Sequence, residues 1–232
     1  MKIIDILKDI FAPKKCYSCK KEGHFLCKNC LEKLGYFEES CYICKEYSKN
    51  FEKHFYCKNN DFYLDKIIIL THYRHFIIKK LIKDAKFYHK KDILDDFSIY
   101  LGDLILKYID KNKNDLIFIT PPMYFLKKIK RGYNVGEVLI KFLNKKYQIN
   151  YDFNLIKKVK NTTPQSHLDK LKRLENLENA FKVNEKLLKK YKNKTFVIID
   201  DVVSTKTTIN EIAKLLKKFG VKNIIGLCIS SD

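Results

Sequence analysis

Seven of the eight cysteines fall in the first 57 residues, as Cys16-x2-Cys19, Cys27-x2-Cys30, Cys41-x2-Cys44 and then Cys57. A two-residue gap lets both thiolates of a tight turn face one ion. Three such pairs crowded into one short segment therefore read as zinc knuckles rather than redox dithiols. His54-x2-Cys57 supplies a fourth pair, because imidazole binds zinc as well as thiolate does. The simplest scheme has one site of Cys16, Cys19, Cys27 and Cys30, and a second of Cys41, Cys44, His54 and Cys57. Spacing alone also allows an interleaved pairing, and if His54 is an ordinary exposed histidine only one complete site remains. Four protein ligands leave no open position, so such zinc is structural. A disulfide framework is the competing reading. The odd count and the lack of a secretory signal oppose it. Cys228 stands alone in an apolar stretch and reads as a core residue.

The second constellation is Thr195-Phe-Val-Ile-Ile-Asp-Asp-Val-Val-Ser-Thr-Lys-Thr-Thr-Ile-Asn-Glu211. An apolar strand delivers Asp200 and Asp201 at its carboxyl end, where ligands bind in open α/β sheets. A hydroxyl-rich turn follows and runs into a helix, with Thr208 and Glu211 at capping-box spacing. Free N–H groups at a helix N-terminus can hold a phosphate, and adjacent carboxylates can accept hydrogen bonds from vicinal sugar hydroxyls. Together they describe a ribose 5-phosphate site. A capped strand–turn–helix without a ligand is the alternative, but two adjacent Asp at a buried strand edge are costly without partners.

Alternating elements must position these groups. Strand patterns are predicted at Lys66–Tyr73, Leu116–Thr120, Thr195–Ile199 and Lys222–Ile229. Helical spacing is predicted near 74–88, 93–109, Val135–Tyr147 and 208–219. Strands alternating with helices imply right-handed βαβ units and a mostly parallel sheet flanked by helices, an α/β fold. The expected division is a Cys-rich zinc-ribbon module over 1–60, including an N-terminal helix, and an α/β domain over 61–232.

The acidic pair with its hydroxyl loop resembles the 5-phosphoribosyl-1-pyrophosphate (PRPP) motif of type I phosphoribosyltransferases. More narrowly, residues 16–232 resemble the ComF family, competence proteins with an N-terminal zinc ribbon and a phosphoribosyltransferase-type domain. The motifs that carry this are the Cys-rich start, Ala85-Lys-Phe87, and Pro121-Pro122 leading to Arg131-Gly-Tyr-Asn134. Gln165, Arg173 with Asn176, Asn179-Ala-Phe181 and the acidic-pair loop complete the series. The resemblance implies that Asp200 and Asp201 bind the ribose diol. It also implies that Ser204, Thr205, Lys206, Thr207 and Thr208 cradle the 5-phosphate, and that Pro121-Pro122 forms a pyrophosphate loop. Arg131, Gln165 and Arg173 join this ligand set. Lys160–Arg173 resembles a mobile loop over the site, and Mg²⁺ would accompany pyrophosphate. Two departures bear on catalysis. Lys206 stands where the family loop has Gly, which permits close backbone approach. No hood-like segment follows the last strand, leaving only the zinc module and residues 60–110 to select an acceptor.

The chain has 232 residues and a net charge of +20, from 47 basic and 27 acidic residues. Only three basic residues are Arg (Arg74, Arg131 and Arg173), so drift towards Lys accounts for the excess as well as an anionic partner does. The placement favours a partner: residues 122–194 carry 19 basic and 6 acidic side chains, net +13, whereas residues 1–60 carry net +4. Two of the three Arg lie on the motifs, as expected where a guanidinium must fork onto phosphate. No apolar run reaches the roughly 20 residues of a membrane span, and Asp5 and Asp9 interrupt any signal-like start. The expected compartment is the cytoplasm.

Three functions fit. The first is handling of incoming single-stranded DNA in natural transformation, with lysines tracking the backbone and Tyr124, Phe125, Tyr133 and Phe142 available for stacking. Phe142 also fits a core position on an apolar helix face. The second is an active phosphoribosyltransferase using PRPP and Mg²⁺ on an unknown acceptor. The third is a zinc-dependent adaptor docking a partner such as a competence helicase. The amphipathic start (Ile3, Ile4, Leu7, Ile10, Phe11) could serve that role, lie on a membrane surface, or pack on its own domain.

Overall fold

The structure is a computed structural model and describes residues 13–57, 61–88, 90–109, 112–160, 180–203 and 207–231. The amphipathic start falls outside these residues. The central sheet has four strands, β1 (Lys66–His72), β2 (Leu116–Ile119), β5 (Thr195–Val203) and β6 (Ile224–Ser231), in the order β1-β6-β5-β2. All three pairings are parallel. Strand-forming Ile and Val dominate, and side chains alternate between two cores with the period of two that a strand imposes. Ile68, Leu70, Val197 and Ile199 face one core; Ile67, Ile69, Phe196 and Ile198 face the other.

Helices α2 (Phe76–Phe87), α3 (Ile93–Tyr108) and α5 (Val135–Tyr147) cover the first face, through Ile78, Leu81, Phe97, Leu101, Leu139 and Leu143. Helix α7 (Thr207–Lys218) covers the second with Ile209, Ile212, Ala213 and Leu216. The second face also receives the antiparallel ribbon β3 (Ile156–Lys158) and β4 (Phe181–Val183). The mostly parallel sheet flanked by helices is as the sequence predicts.

Two details differ. The strand carrying the acidic pair runs on to Val203, because Val202 and Val203 stay in register with Ser230 and Ser231 of β6. Asp200 and Asp201 therefore lie within the strand rather than past its end. Short elements escaped the pattern reading: α1 (Lys28–Leu34), α4 (Phe125–Arg131), α6 (Glu185–Leu188) and the β3–β4 ribbon.

The Cys-rich segment is sewn onto the α/β body. Cys16, Leu26, Cys30, Leu31 and Phe51 belong to the same core as Ile68, Ile78 and Phe97. Polar ties reinforce this apolar contact. Asp96 on α3 accepts the backbone N–H groups of Phe25 at 2.6 Å and Leu26 at 3.1 Å, and its other oxygen faces His24 Nδ1 at 2.8 Å. The Tyr17 hydroxyl donates to Asp84 on α2 at 2.7 Å, and Tyr100 donates to the Leu26 carbonyl at 2.5 Å. No helix among the described residues is long and apolar enough to cross a membrane.

Candidate functional site

Both predicted cysteine groups are assembled, in the non-interleaved pairing. Ligand atoms of Cys16, Cys19, Cys27 and Cys30 lie within 4.8 Å of one another, as do those of Cys41, Cys44, His54 and Cys57. The two knuckles share one geometry. The N–H of Cys16 donates to the Lys21 carbonyl and that of Lys20 back to Cys16; Cys41 with Glu46, and Lys45 with Cys41, repeat the pattern. Each turn closes on a left-handed residue, Lys20 at φ 65° and Lys45 at φ 70°. Tight turns of this kind aim N–H groups at sulfur. Burial raises the Cys16 thiol, but the backbone donors of Cys27, Cys19 and Ser18 outweigh it and bring it down to about 6.

The donor set fits a tetrahedral ion. Thiolates about 2.3 Å from zinc lie roughly 3.8 Å apart, and the Cys19 and Cys27 sulfurs are 3.8 Å apart. His54 turns Nδ1 towards Cys44 Sγ at 3.3 Å, while its Nε2–H donates to the Tyr47 carbonyl at 3.1 Å. A backbone acceptor on the far nitrogen fixes the tautomer that leaves the near one as a ligand. The Tyr56 hydroxyl, 3.1 Å from Nδ1, already donates to Glu46 at 2.6 Å. Both groups can hold a metal ion.

At the carboxyl edge of the sheet four separate motifs converge. Ile119 stands opposite Ile198 in the β2–β5 register, so Thr120-Pro121-Pro122 leaves the sheet beside Asp200 and Asp201. Asn134 fastens that exit. Its Nδ2 donates to the Pro121 carbonyl at 2.9 Å, and its Oδ1 accepts the Gly136 N–H at 2.9 Å, capping α5. Gly136 permits the approach: a Cβ there would lie 1.8 Å from Thr120 Oγ1 and 3.2 Å from the Ile199 carbonyl oxygen.

The acidic pair is held by local bonds and one cation. Asp200 accepts the N–H of Asp201 at 2.9 Å, and Asp201 accepts that of Val202 at 2.7 Å. Lys86 Nζ sits 2.9 Å from Asp201 Oδ1. Burial and the charge of Asp201 push Asp200 up to about 7, with Lys86 and the Asp201 N–H pulling the other way. A carboxyl raised by burial and a neighbouring like charge is the kind of group that ligand sites and structural ion-pair networks both contain.

Lys86 belongs to Ala85-Lys-Phe87, a motif to which sequence reasoning assigned no role, and all three residues have partners here. The Tyr133 hydroxyl donates to the Ala85 carbonyl, and the Arg131 guanidinium lies over the Phe87 ring at 5.2 Å. Arg131 thus comes to the end of α2 rather than into contact with the acidic pair. Thr207 and Thr208 open α7 directly after the loop. Ser204, Thr205, Lys206, Gln165 and Arg173 lie outside the described residues, as do Asn176 and Asn179. Of the predicted stacking rings, Phe125 is exposed, while Tyr133 and Phe142 pack against the first core.

The family model of the phosphoribosyl transferase domain matches residues 91–232, more than half of the chain. The chain belongs to the phosphoribosyl transferase family. The acidic strand, the Pro121-Pro122 exit and the helix beginning at Thr207 all lie inside the matched phosphoribosyl transferase domain, whereas Lys86 and both cysteine groups precede it. Beyond that domain, the chain is 29% identical to Competence protein F of Haemophilus influenzae over 217 residues, 90% of this chain and 86% of that one. The DNA utilization protein YhgH of Escherichia coli O157:H7 is 30% identical over 111 residues, 48% of this chain and 47% of that one. YhgH of Salmonella typhi is 31% identical over the same length. The ComF resemblance carried by the motifs therefore extends through the Cys-rich segment as well as the phosphoribosyl transferase domain.

Proposed function

We propose that the protein serves natural transformation as a ComF-like cytoplasmic protein that handles incoming single-stranded DNA and uses its phosphoribosyl transferase site to bind PRPP. The observation that carries the ligand site is the Asp200–Asp201 pair, with its Lys86 counter-ion, at the sheet edge beside the Pro121-Pro122 exit. The names of the relatives, one a competence protein and the others DNA utilization proteins, support the DNA role. In this reading Asp200 and Asp201 accept hydrogen bonds from the ribose diol. Ser204, Thr205, Lys206, Thr207 and Thr208 hold the 5-phosphate, and Pro121-Pro122 faces the pyrophosphate. Arg131, Gln165 and Arg173 complete the ligand set. Mg²⁺ would neutralise pyrophosphate charge that side chains alone leave unmatched. Asp201 gives up Lys86 or shares it when sugar hydroxyls arrive.

Residues 1–60 form the Cys-rich module and 61–232 the α/β domain. Zinc would cross-link the two knuckle pairs, with Cys16, Cys19, Cys27 and Cys30 holding one ion and Cys41, Cys44, His54 and Cys57 the other. The adaptor reading draws support from the exposed rings of Tyr47, Phe55 and Tyr56 beside the second group, a surface suited to a protein partner such as a helicase.

Calorimetric titration of the zinc-loaded chain with PRPP and Mg²⁺ tests the ligand site. Saturable binding is expected, and Asp200→Asn with Asp201→Asn should abolish it in a chain that stays folded. Absence of binding by the folded wild type would reject the PRPP reading and leave DNA handling to be judged separately.

A further inference from the structure

We propose that the cleft between the first cysteine group and α2 is a groove for single-stranded nucleic acid. The proposal rests on the DNA-handling reading and gives it a location, away from the basic stretch 122–194. Two adjoining cavities, of about 490 and about 620 Å³, open along the outer face of α2 and share Phe76, Lys80, Asp84 and Lys90 in their walls.

Charge defines the first half of the argument. The walls carry Lys15, Lys20, Lys79, Lys80, Lys83 and Lys90 against one carboxylate, Asp84. That carboxylate is buried and occupied, accepting the Tyr17 hydroxyl at 2.7 Å and facing Lys90 at 3.7 Å. Lys79, Lys80 and Lys83 make no ion pair with any described carboxylate. Lys79 and Lys83 stand one helical turn apart, about 6 Å along the axis. The row suits an anionic chain running beside the helix.

Aromatic placement identifies which anionic chain. Phe76 is 75% exposed and Tyr88 60% exposed, and both line the second cavity; Tyr17 lines the first beneath Lys80 and Lys90. Solvated rings interleaved with lysines are what splayed bases stack on while their phosphates are neutralised. A duplex keeps its bases stacked on one another and could use only the lysines. A lipid surface is flat and cannot enter the first cavity, which the cysteine segment and α2 wall from two sides.

The test is fluorescence anisotropy of a labelled mixed-sequence 20-nucleotide DNA, single-stranded and as duplex, with the full zinc-loaded chain across 50–200 mM salt. Phe76→Ala and Tyr88→Ala should each weaken single-strand binding by about 5- to 100-fold and leave duplex binding nearly unchanged. Lys79→Ala with Lys83→Ala should reduce the log–log salt slope by about 1.4, at roughly 0.7 per lost phosphate contact. These side chains are exposed, so folding should survive, as circular dichroism would verify. Lys189→Ala with Lys190→Ala, in the other basic stretch, should leave affinity close to wild type. Wild-type behaviour of the groove variants, with loss in the Lys189/Lys190 variant instead, would overturn the groove and keep DNA handling. A silent Phe76→Ala with equal losses for both DNA forms would reduce the groove to a cationic patch and overturn the single-strand assignment. No binding by the wild type at 50 mM salt would remove DNA handling and the groove together.

Discussion

Lys86, at the end of a helix outside the matched domain, neutralises Asp201 near the end of β5, two positions before Val203, Nζ to Oδ1 2.9 Å. Both side chains are largely shielded, at 22% and 11% exposure, so the pair is more than a surface contact. Removing one partner of such a pair leaves an uncompensated charge. Lys86→Met should lower stability at pH 8 by roughly 1–3 kcal/mol, discounted from the fully buried case for the remaining solvent. The loss should shrink at pH 5, where Asp200 has taken up its proton. Urea titration at the two pH values measures it, and a loss larger at pH 5 would contradict the pairing.

Asp200 sets a second pH dependence. Burial and the Asp201 charge raise it to about 7. A carboxyl raised in the fold holds its proton where the unfolded chain, titrating near 4, has lost it. Stability therefore falls as pH rises from about 4 to about 7 and is level above. Asp200→Asn should remove that slope and stabilise the chain at pH 8 by on the order of 1–3 kcal/mol, while costing ligand affinity. An equal gain at pH 4.5 and pH 8 would show that Asp200 is not the source.

Metal content separates the two cysteine groups. The zinc-loaded chain should carry two ions by elemental analysis, and His54→Ala about one. Cys16→Ser should be the more damaging, because Cys16 and Cys30 are buried in the main core with Leu26 and Ile68, whereas His54 is half-buried at the periphery. Thermal unfolding should show Cys16→Ser lowered well beyond His54→Ala. Chelation of both ions should expose the seams around Asp96 to hydrogen exchange before the sheet.

Gly136 is the tightest packing point beside the candidate site. A Cβ 1.8 Å from Thr120 Oγ1 and 2.7 Å from Thr120 Cβ cannot be absorbed by rotating a flexible side chain. Gly136→Ala should cost about 1–3 kcal/mol through overpacking and shift the Pro121-Pro122 exit. Adding Thr120→Ala should recover part of the loss. Independent, additive effects in the double variant would mean the two residues do not share that space.

The legible parts of the sequence were those with strong local signals. Helix α5 matches its predicted bounds, because apolar spacing, an Asn134 cap and flanking polar residues agree with one another. The metal ligands were legible because CxxC spacing is itself a geometric requirement. Lys86 was not: it is one of 44 lysines, and its partner is reached only by folding α2 across the sheet. Asp96, one of two acids in the first turn of α3, carries no local mark of its role, yet it braces the chain at Phe25 and Leu26. The continuation of β5 past its acidic pair depended on β6 alongside it, and pairing of that kind leaves no local pattern to read.

The place of β1 in the sheet also bears on how the chain is made. Its only strand partner among the described residues is β6, with Lys66 opposite Ile225 and Thr71 opposite Ser230. At translation rates of about 5–20 residues per second, roughly 8–30 s separate their emergence from the ribosome. Through that interval Ile67, Ile68, Ile69 and Leu70 have no strand to pair with, while all eight cysteine-group ligands, Cys16 to Cys57, have already been synthesised. Early metal uptake would fold the segment just ahead of this apolar run. A nascent chain starved of zinc should then spend longer on chaperones and aggregate more readily.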